Sequence, residues 1–261
     1  MTTARTTTIA SRSRAHVPGP LLTFGVVAVT VVVWQVLVVA FNVPSFILPS
    51  PIEIVTGADW GVVAVAAGVT ALSTLAGFAV GNLVGLLLAL LISSSRTISD
   101  IVYPGAIVVR SIPVVALAPF ITLAFGRGGG ATVIVAAMIV FFPTLVNVLL
   151  GLRSVSADSV ELMHVLNAST VTTYVRLRIP ASLPSFFSAL RISAPNAVLG
   201  VMTAEWIIGG NGLGHLIITS WLALDMATMW AAVVVSAIVA AALFTLVAIS
   251  ERFFIGWAVR T

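Results

Sequence analysis

The sequence contains no lysine and no cysteine, and few charges of either sign. Each absence excludes something. Without cysteine there is no disulfide, no thiolate nucleophile and no cysteine-ligated metal. Without lysine there is no P-loop, whose G-x-x-x-x-G-K-[ST] pattern needs the ammonium group to reach the phosphates of a nucleotide. Any ATP hydrolysis linked to this protein must therefore take place on another chain. Charged residues make up 8% of the 261 positions and hydrophobic ones 60%, with a mean hydropathy of +1.19. Soluble domains carry about 25% charged residues, so this chain lacks the polar surface to cover a core in water and its natural solvent is a bilayer. The net charge of +4 comes from 12 arginines spread singly along the chain. A nucleic-acid surface would cluster them, so no nucleic-acid partner is expected and the arginines are read as orienting the protein in a membrane.

Six apolar segments approach the roughly 20 residues that a bilayer core requires: Leu21–Phe41, Gly61–Ile92, Ile101–Phe125, Ala131–Leu152, Phe186–Ile208 and Met226–Ser250. The fold class expected is an all-α integral membrane protein of about six transmembrane helices. Arg5, Arg12 and Arg14, then Arg96, then Arg153, Arg176 and Arg178, and finally Arg252 and Arg260 all fall on one side of such a chain, against Arg127 alone on the other. The positive-inside rule makes that side, with both termini, cytoplasmic. Glu53, Asp59 and Asp225 then lie outside. The basic N-terminal stretch resembles that of a signal peptide, but the apolar run after Pro18-Gly19-Pro20 is about 21 residues, too long for a cleaved h-region. A retained first helix is expected. No internal repeat is visible, and the chain divides into a tail at 1–20, a membrane domain at 21–255 and a tail at 256–261.

The longest cytoplasmic loop, about 153–185, holds the stretch "ELMHVLNASTVTTYVRLRIP" (residues 161–180), unusually polar for this chain. Asp158 and Glu161 stand where acids suit the positive end of a helix dipole. Leu162, Val165 and Leu166 recur at helical spacing and give a short helix one apolar face. Asn167 is suited to end it, because asparagine tolerates left-handed backbone geometry. A helix of this kind at a membrane surface is built to dock.

The segment resembles the EAA loop of the permease subunits of ABC importers, whose pattern is E-A-A, three residues, G, nine residues, I-x-L-P. Glu161-Leu162-Met163 stands for E-A-A, Asn167 for the glycine and Leu177-Arg178-Ile179-Pro180 for I-x-L-P, without a gap. Met163 is bulkier than the usual alanine, and Asn167 departs from glycine. "FILPSP" (Phe46–Pro51), "RSIPVVALAPFITLAFGRG" (Arg110–Gly128), "FFPTLVNVLLGL" (Phe141–Leu152) and "AEWIIGGNGLGHLI" (Ala204–Ile217) are similar to segments of the nitrate/sulfonate/taurine-type branch, in order, over about residues 44–255. The resemblance implies a coupling helix over about 161–175 seated in a cytoplasmic ABC ATPase dimer, with Glu161, Leu162, Met163, Val165, Leu166, Asn167, Ala168 and Ser169 at the contact. It also implies a second permease copy or homologue, an extracytoplasmic solute-binding protein, and ATP and Mg bound by the ATPase rather than by this chain. The cargo would be a small anion such as a sulfonate, taurine or nitrate, or a vitamin precursor.

Within the spans, Arg110 with Ser111 and Pro113 interrupts the third segment. It is read either as a pore-lining kink that meets an anion or as a kinked packing helix whose arginine is paired. Glu205 is an ionisable group in a bilayer and is expected at the pathway or gate, or in a structural pair with Arg110 or Arg191. Asn211 belongs to a flexible outer turn, Gly209–Gly212 with Gly214, which resemblance places beneath the binding protein or across the pathway. Asn82, Asn147 and Asn196 read as hydrogen-bond glue between helices. His16, His164 and His215 are scattered and form no metal pattern. No nucleophile, base and orienting group can be assembled, so the chain is not expected to be an enzyme. A stand-alone secondary transporter is the rival reading, but it commonly shows internal repeats.

Overall fold

Glycine spacing sets how closely the central helices approach. The computed structural model describes residues 20–255; Arg5, Arg12, Arg14, His16 and Arg260, in the two tails, lie outside the described residues. The elements in order are α1 (Pro20–Ala40), α2 (Pro51–Gly57), α3 (Trp60–Ser94), α4 (Arg96–Ser111), α5 (Val114–Phe125), α6 (Gly129–Arg153), α7 (Ala157–Val165), α8 (Thr170–Thr173), a π-helical turn at Tyr174–Arg178, α9 (Ile179–Ile208), α10 (Leu213–Leu222) and α11 (Met226–Phe254). There is no strand among the described residues.

The middle of the molecule is α3, α6 and α9. Gly77, Gly81 and Gly85 form a one-per-turn stripe on α3 that lies against Ala136, Ala137 and Phe141 of α6. Gly151 and Gly200 let α9 approach α6 in the same way. Small residues at such contacts suit a membrane, where association depends on close packing and not on exclusion of water. The same three helices share a buried polar link. The Thr144 hydroxyl donates to the Asn82 side-chain carbonyl at 2.5 Å and lies 3.4 Å from the Ser193 hydroxyl. Asn82 thus joins helices as expected, whereas the Asn147 amide donates to the Pro143 carbonyl of its own helix.

α3, α6 and α11 are long and apolar enough to cross a membrane. The first and fifth predicted spans fall on α1 and α9. The third is not one straight span. It is broken into α4 and α5, which meet at 97°. Pro113 is the cause. Proline pushes the residue before it out of helical geometry, and Ile112 is extended at φ −75°, ψ 123°.

Glu53, Asp59 and Asp225 each serve a helix start. Asp59 accepts the amides of Gly61 and Val62, and Asp225 accepts that of Thr228. Glu53 closes a capping box with Ser50 at the head of α2. Hydrogen bonds from the Ser50 amide and the Ser45 hydroxyl hold its carboxyl below the ordinary glutamate range.

Candidate functional site

The polar loop lies where α6 ends and α9 begins, and the broken third span forms a second region beside the middle of α6. At the loop end, Ser156 caps α7 by accepting the Ser159 amide. α7 buries no residue. Leu162, Val165 and Leu166 are 58, 76 and 67% exposed and form one apolar stripe, while Met163 is half-buried. Glu161 is exposed and makes no ion pair among the described residues.

The expected helix over 161–175 is two pieces, and Asn167 is the break. Its φ is +54°. The Asn167 amide donates to the His164 carbonyl and the Ala168 amide to the Met163 carbonyl, both at 2.9 Å, which is the Schellman closure of a helix end. Ser169 then caps α8 by accepting the Thr172 amide. Asparagine here adopts the left-handed geometry that glycine takes most easily. Asn167→Gly should accordingly leave the amide protection of Ala168 intact. Asn167→Val should raise its hydrogen exchange roughly tenfold, since left-handed backbone costs such residues about 1–2 kcal/mol.

Arg110, Ser111 and Pro113 sit at the elbow between α4 and α5. The Arg110 guanidinium lies 4.5 Å from the centroid of the Phe142 ring, and Ser111 donates back to the Ile107 carbonyl. From the elbow, a groove of about 570 Å³ follows α5 past Val115, Pro119 and Thr122 to Arg127, with Ile207 and Ile208 of α9 as its other wall.

One helical turn before that wall lies Glu205, 1% exposed. Neither expected arginine is its partner. Arg191 pairs with Glu251 of α11, and Arg110 stacks on Phe142. The Glu205 carboxylate instead takes the Thr70 hydroxyl of α3 at 2.9 Å and the Gly214 amide of α10 at 2.8 Å. The same Thr70 oxygen accepts the Leu213 amide at 2.8 Å. This arrangement satisfies donors at the start of α10, which a helix N-terminus otherwise leaves open. A Cβ at Gly212 would overlap the carboxylate, and one at Gly214 would overlap the Met202 carbonyl.

The expected outer turn is therefore shorter than Gly209–Gly214. Gly214 belongs to α10, and only Gly209 and Gly210 take positive φ. Asn211 is exposed in that turn and lines a second groove, of about 440 Å³, with His215 and Val62. No hydrogen bond or ion pair joins Arg110 to Glu205 among the described residues. Reading the sequence missed Thr70, Tyr174 and Glu251 as partners; their only local signal is polarity in or beside an apolar helix.

Long apolar helices packed on glycine are those of a multi-pass membrane protein. Residues 81–256 match the family of the binding-protein-dependent transport system inner membrane component, and the chain belongs to that family. It is 33% identical over 222 residues to a protein of Haemophilus influenzae described as "Probable ABC transporter permease protein", covering 83% of this chain and 88% of that one. It is 34% identical over 189 residues to the formylaminopyrimidine transport permease protein ThiX of Halalkalibacterium halodurans, covering 70% and 74%. Other relatives are named as permeases for riboflavin, aliphatic sulfonates and nitrate. The fold matches a chain of the MetNI methionine ABC transporter in an inward facing conformation, with a TM-score of 0.56 at 20% identity over 76% of this chain and 95% of that one. The chain is an ABC importer permease.

Proposed function

We propose that this permease forms, with a second copy or a homologue, the translocation pathway for a small polar solute, and that α7 is the element through which a cytoplasmic ATPase dimer drives it. The exposed stripe of Leu162, Val165 and Leu166 carries the proposal. Three large apolar side chains stand out from a polar loop whose backbone is fixed by Ser156 and Asn167. An apolar helix face of this kind fits a groove on a partner. Glu161 serves as its polar anchor, and Met163, Ala168 and Ser169 complete the contact.

In this reading the loop and both termini are cytoplasmic, as the arginine asymmetry favours. ATP and Mg are held by the ATPase, and a binding protein delivers cargo to the Asn211 end. The relatives' names span formylaminopyrimidine, riboflavin, sulfonates and nitrate. Arg127, which lines the α5 groove, favours a cargo that carries negative charge. Glu205 supports the gate by holding α10 and does not itself meet cargo.

The test is to tag the chain, purify it gently from its host membrane and identify stoichiometric partners. A P-loop ATPase should be recovered with the parent protein and lost with Leu162→Asp. Leu162→Cys should crosslink to a cysteine placed in the ATPase groove, in a chain that has no other thiol. Recovery of the permease alone in every mild detergent would overturn the reading.

A further inference from the structure

We infer that Tyr174 is a positioning residue that ties the docking loop to the corner between α3 and α4, so that movement of the loop is passed to the Arg110–Pro113 elbow. This rests on the docking role proposed for α7. The loop between α6 and α9 has two stems, and both are fastened to the same corner. On one stem, the Arg153 guanidinium at the end of α6 donates to the Ser99 hydroxyl of α4 at 3.0 Å. On the other, the Tyr174 hydroxyl donates to the Ser93 carbonyl in the last turn of α3. Carbonyls of a last helical turn have no partner within the helix, and Ser95, which follows, is extended. Tyr174 supplies the missing donor.

Three further observations single out Tyr174. It opens the π-helical turn Tyr174–Arg178, and such turns are rare and concentrate at functional positions. The Arg178 guanidinium lies 5.0 Å from its ring centroid, and one of its nitrogens is 3.5 Å from the hydroxyl oxygen, so the ring is held in place. α7 and α8 bury nothing, and the chain regains the bundle core only at Ile179, beyond the turn that Tyr174 opens. A push on α7 therefore acts on the Ser93–Ser99 corner. From there α4 runs as a helix, with Pro104 within it, to the elbow, where the chain leaves helical geometry at Ile112 ahead of Pro113.

The experiment uses the assembled complex in host membranes and two single cysteines in the cysteine-free chain. Leu162→Cys reports docking by crosslinking to the ATPase. Ile112→Cys reports the elbow by its rate of maleimide labelling, with and without ATP plus vanadate. In the parent background, the crosslink should form and ATP plus vanadate should change the labelling rate. Tyr174→Phe, which removes only the hydroxyl, should keep the crosslink and reduce that change by roughly two- to tenfold, the equilibrium factor of one net hydrogen bond. Ser99→Ala should add to the loss. A full nucleotide-dependent change in Tyr174→Phe would overturn the inference, as would loss of its crosslink, since Tyr174 would then shape the docking surface itself. Absence of the crosslink in the parent background would instead remove the docking role and the inference with it.

Discussion

Gly85→Ala should destabilise the permease, and Gly68→Ala should not. The two substitutions make the same chemical change on the same helix. At Gly85 a new Cβ would lie 2.5 Å from the Phe141 carbonyl oxygen and 3.1 Å from the Leu145 amide nitrogen, and at Gly68 it would meet nothing within 4 Å. The obstructing atoms are backbone, so no rotamer change relieves them. Extra volume in a close-packed contact costs about 1–3 kcal/mol, and the gain in helix propensity from alanine returns at most about 1 kcal/mol. Gly68→Ala receives that gain without the cost. Thermal unfolding of the detergent-solubilised protein should show a lower midpoint for Gly85→Ala and an equal or higher one for Gly68→Ala. A neutral Gly85→Ala would show that α3 and α6 are not held as closely as the glycine stripe implies.

Glu205→Ala should release α10. The substitution leaves the Thr70 hydroxyl and the Gly214 amide without their acceptor, in a place where Glu205 itself is 1% exposed. A buried donor left unpaired costs about 1–3 kcal/mol, so the pair amounts to about 2–6 kcal/mol, concentrated where α9, α3 and α10 meet. Hydrogen exchange should report this directly, with faster exchange at Leu213 and Gly214 while the α6 amides are unchanged. Glu205→Gln should fall between, because its amide nitrogen offers a donor where the site needs an acceptor. Unaltered exchange at Gly214 in Glu205→Ala would mean that α10 is held by its apolar contacts alone.

Much of the architecture was legible in the sequence because bilayer solvent imposes long apolar runs, and these coincide with α1, α3, α6, α9 and α11. Asn167 was legible as a stop because few residues tolerate left-handed geometry. The elbow was legible as a kink at Arg110, Ser111 and Pro113, but not its 97° angle, because the apolar continuity of 101–125 says nothing of how far a helix broken at proline turns. α10 was hidden: Gly209, Gly210 and Gly212 look like a turn, and a ten-residue helix beginning at Leu213 is too short to register as a span. Glu205 was visible as an unusual buried acid, but its partner was not. Thr70 lies 135 residues away, and nothing local distinguishes it from other threonines in apolar helices. Glu251 stood just beyond the sixth predicted span, so its pairing with Arg191 went unseen.

The 35 residues of α3 carry a consequence for where the protein can work. At 1.5 Å per residue the helix is roughly 52 Å long, against a hydrocarbon thickness of about 30 Å. Even at about 40°, the steep end of observed helix tilts, its projection on the bilayer normal is roughly 40 Å, so about 10 Å reaches into the headgroup layers. Lipids with longer acyl chains would let α3 stand more upright, and shorter ones would force it over. Because Ser93, at one end of α3, meets the loop and Thr70, along the same helix, holds Glu205, the thickness of the host membrane sets the tilt at which α3 carries both contacts.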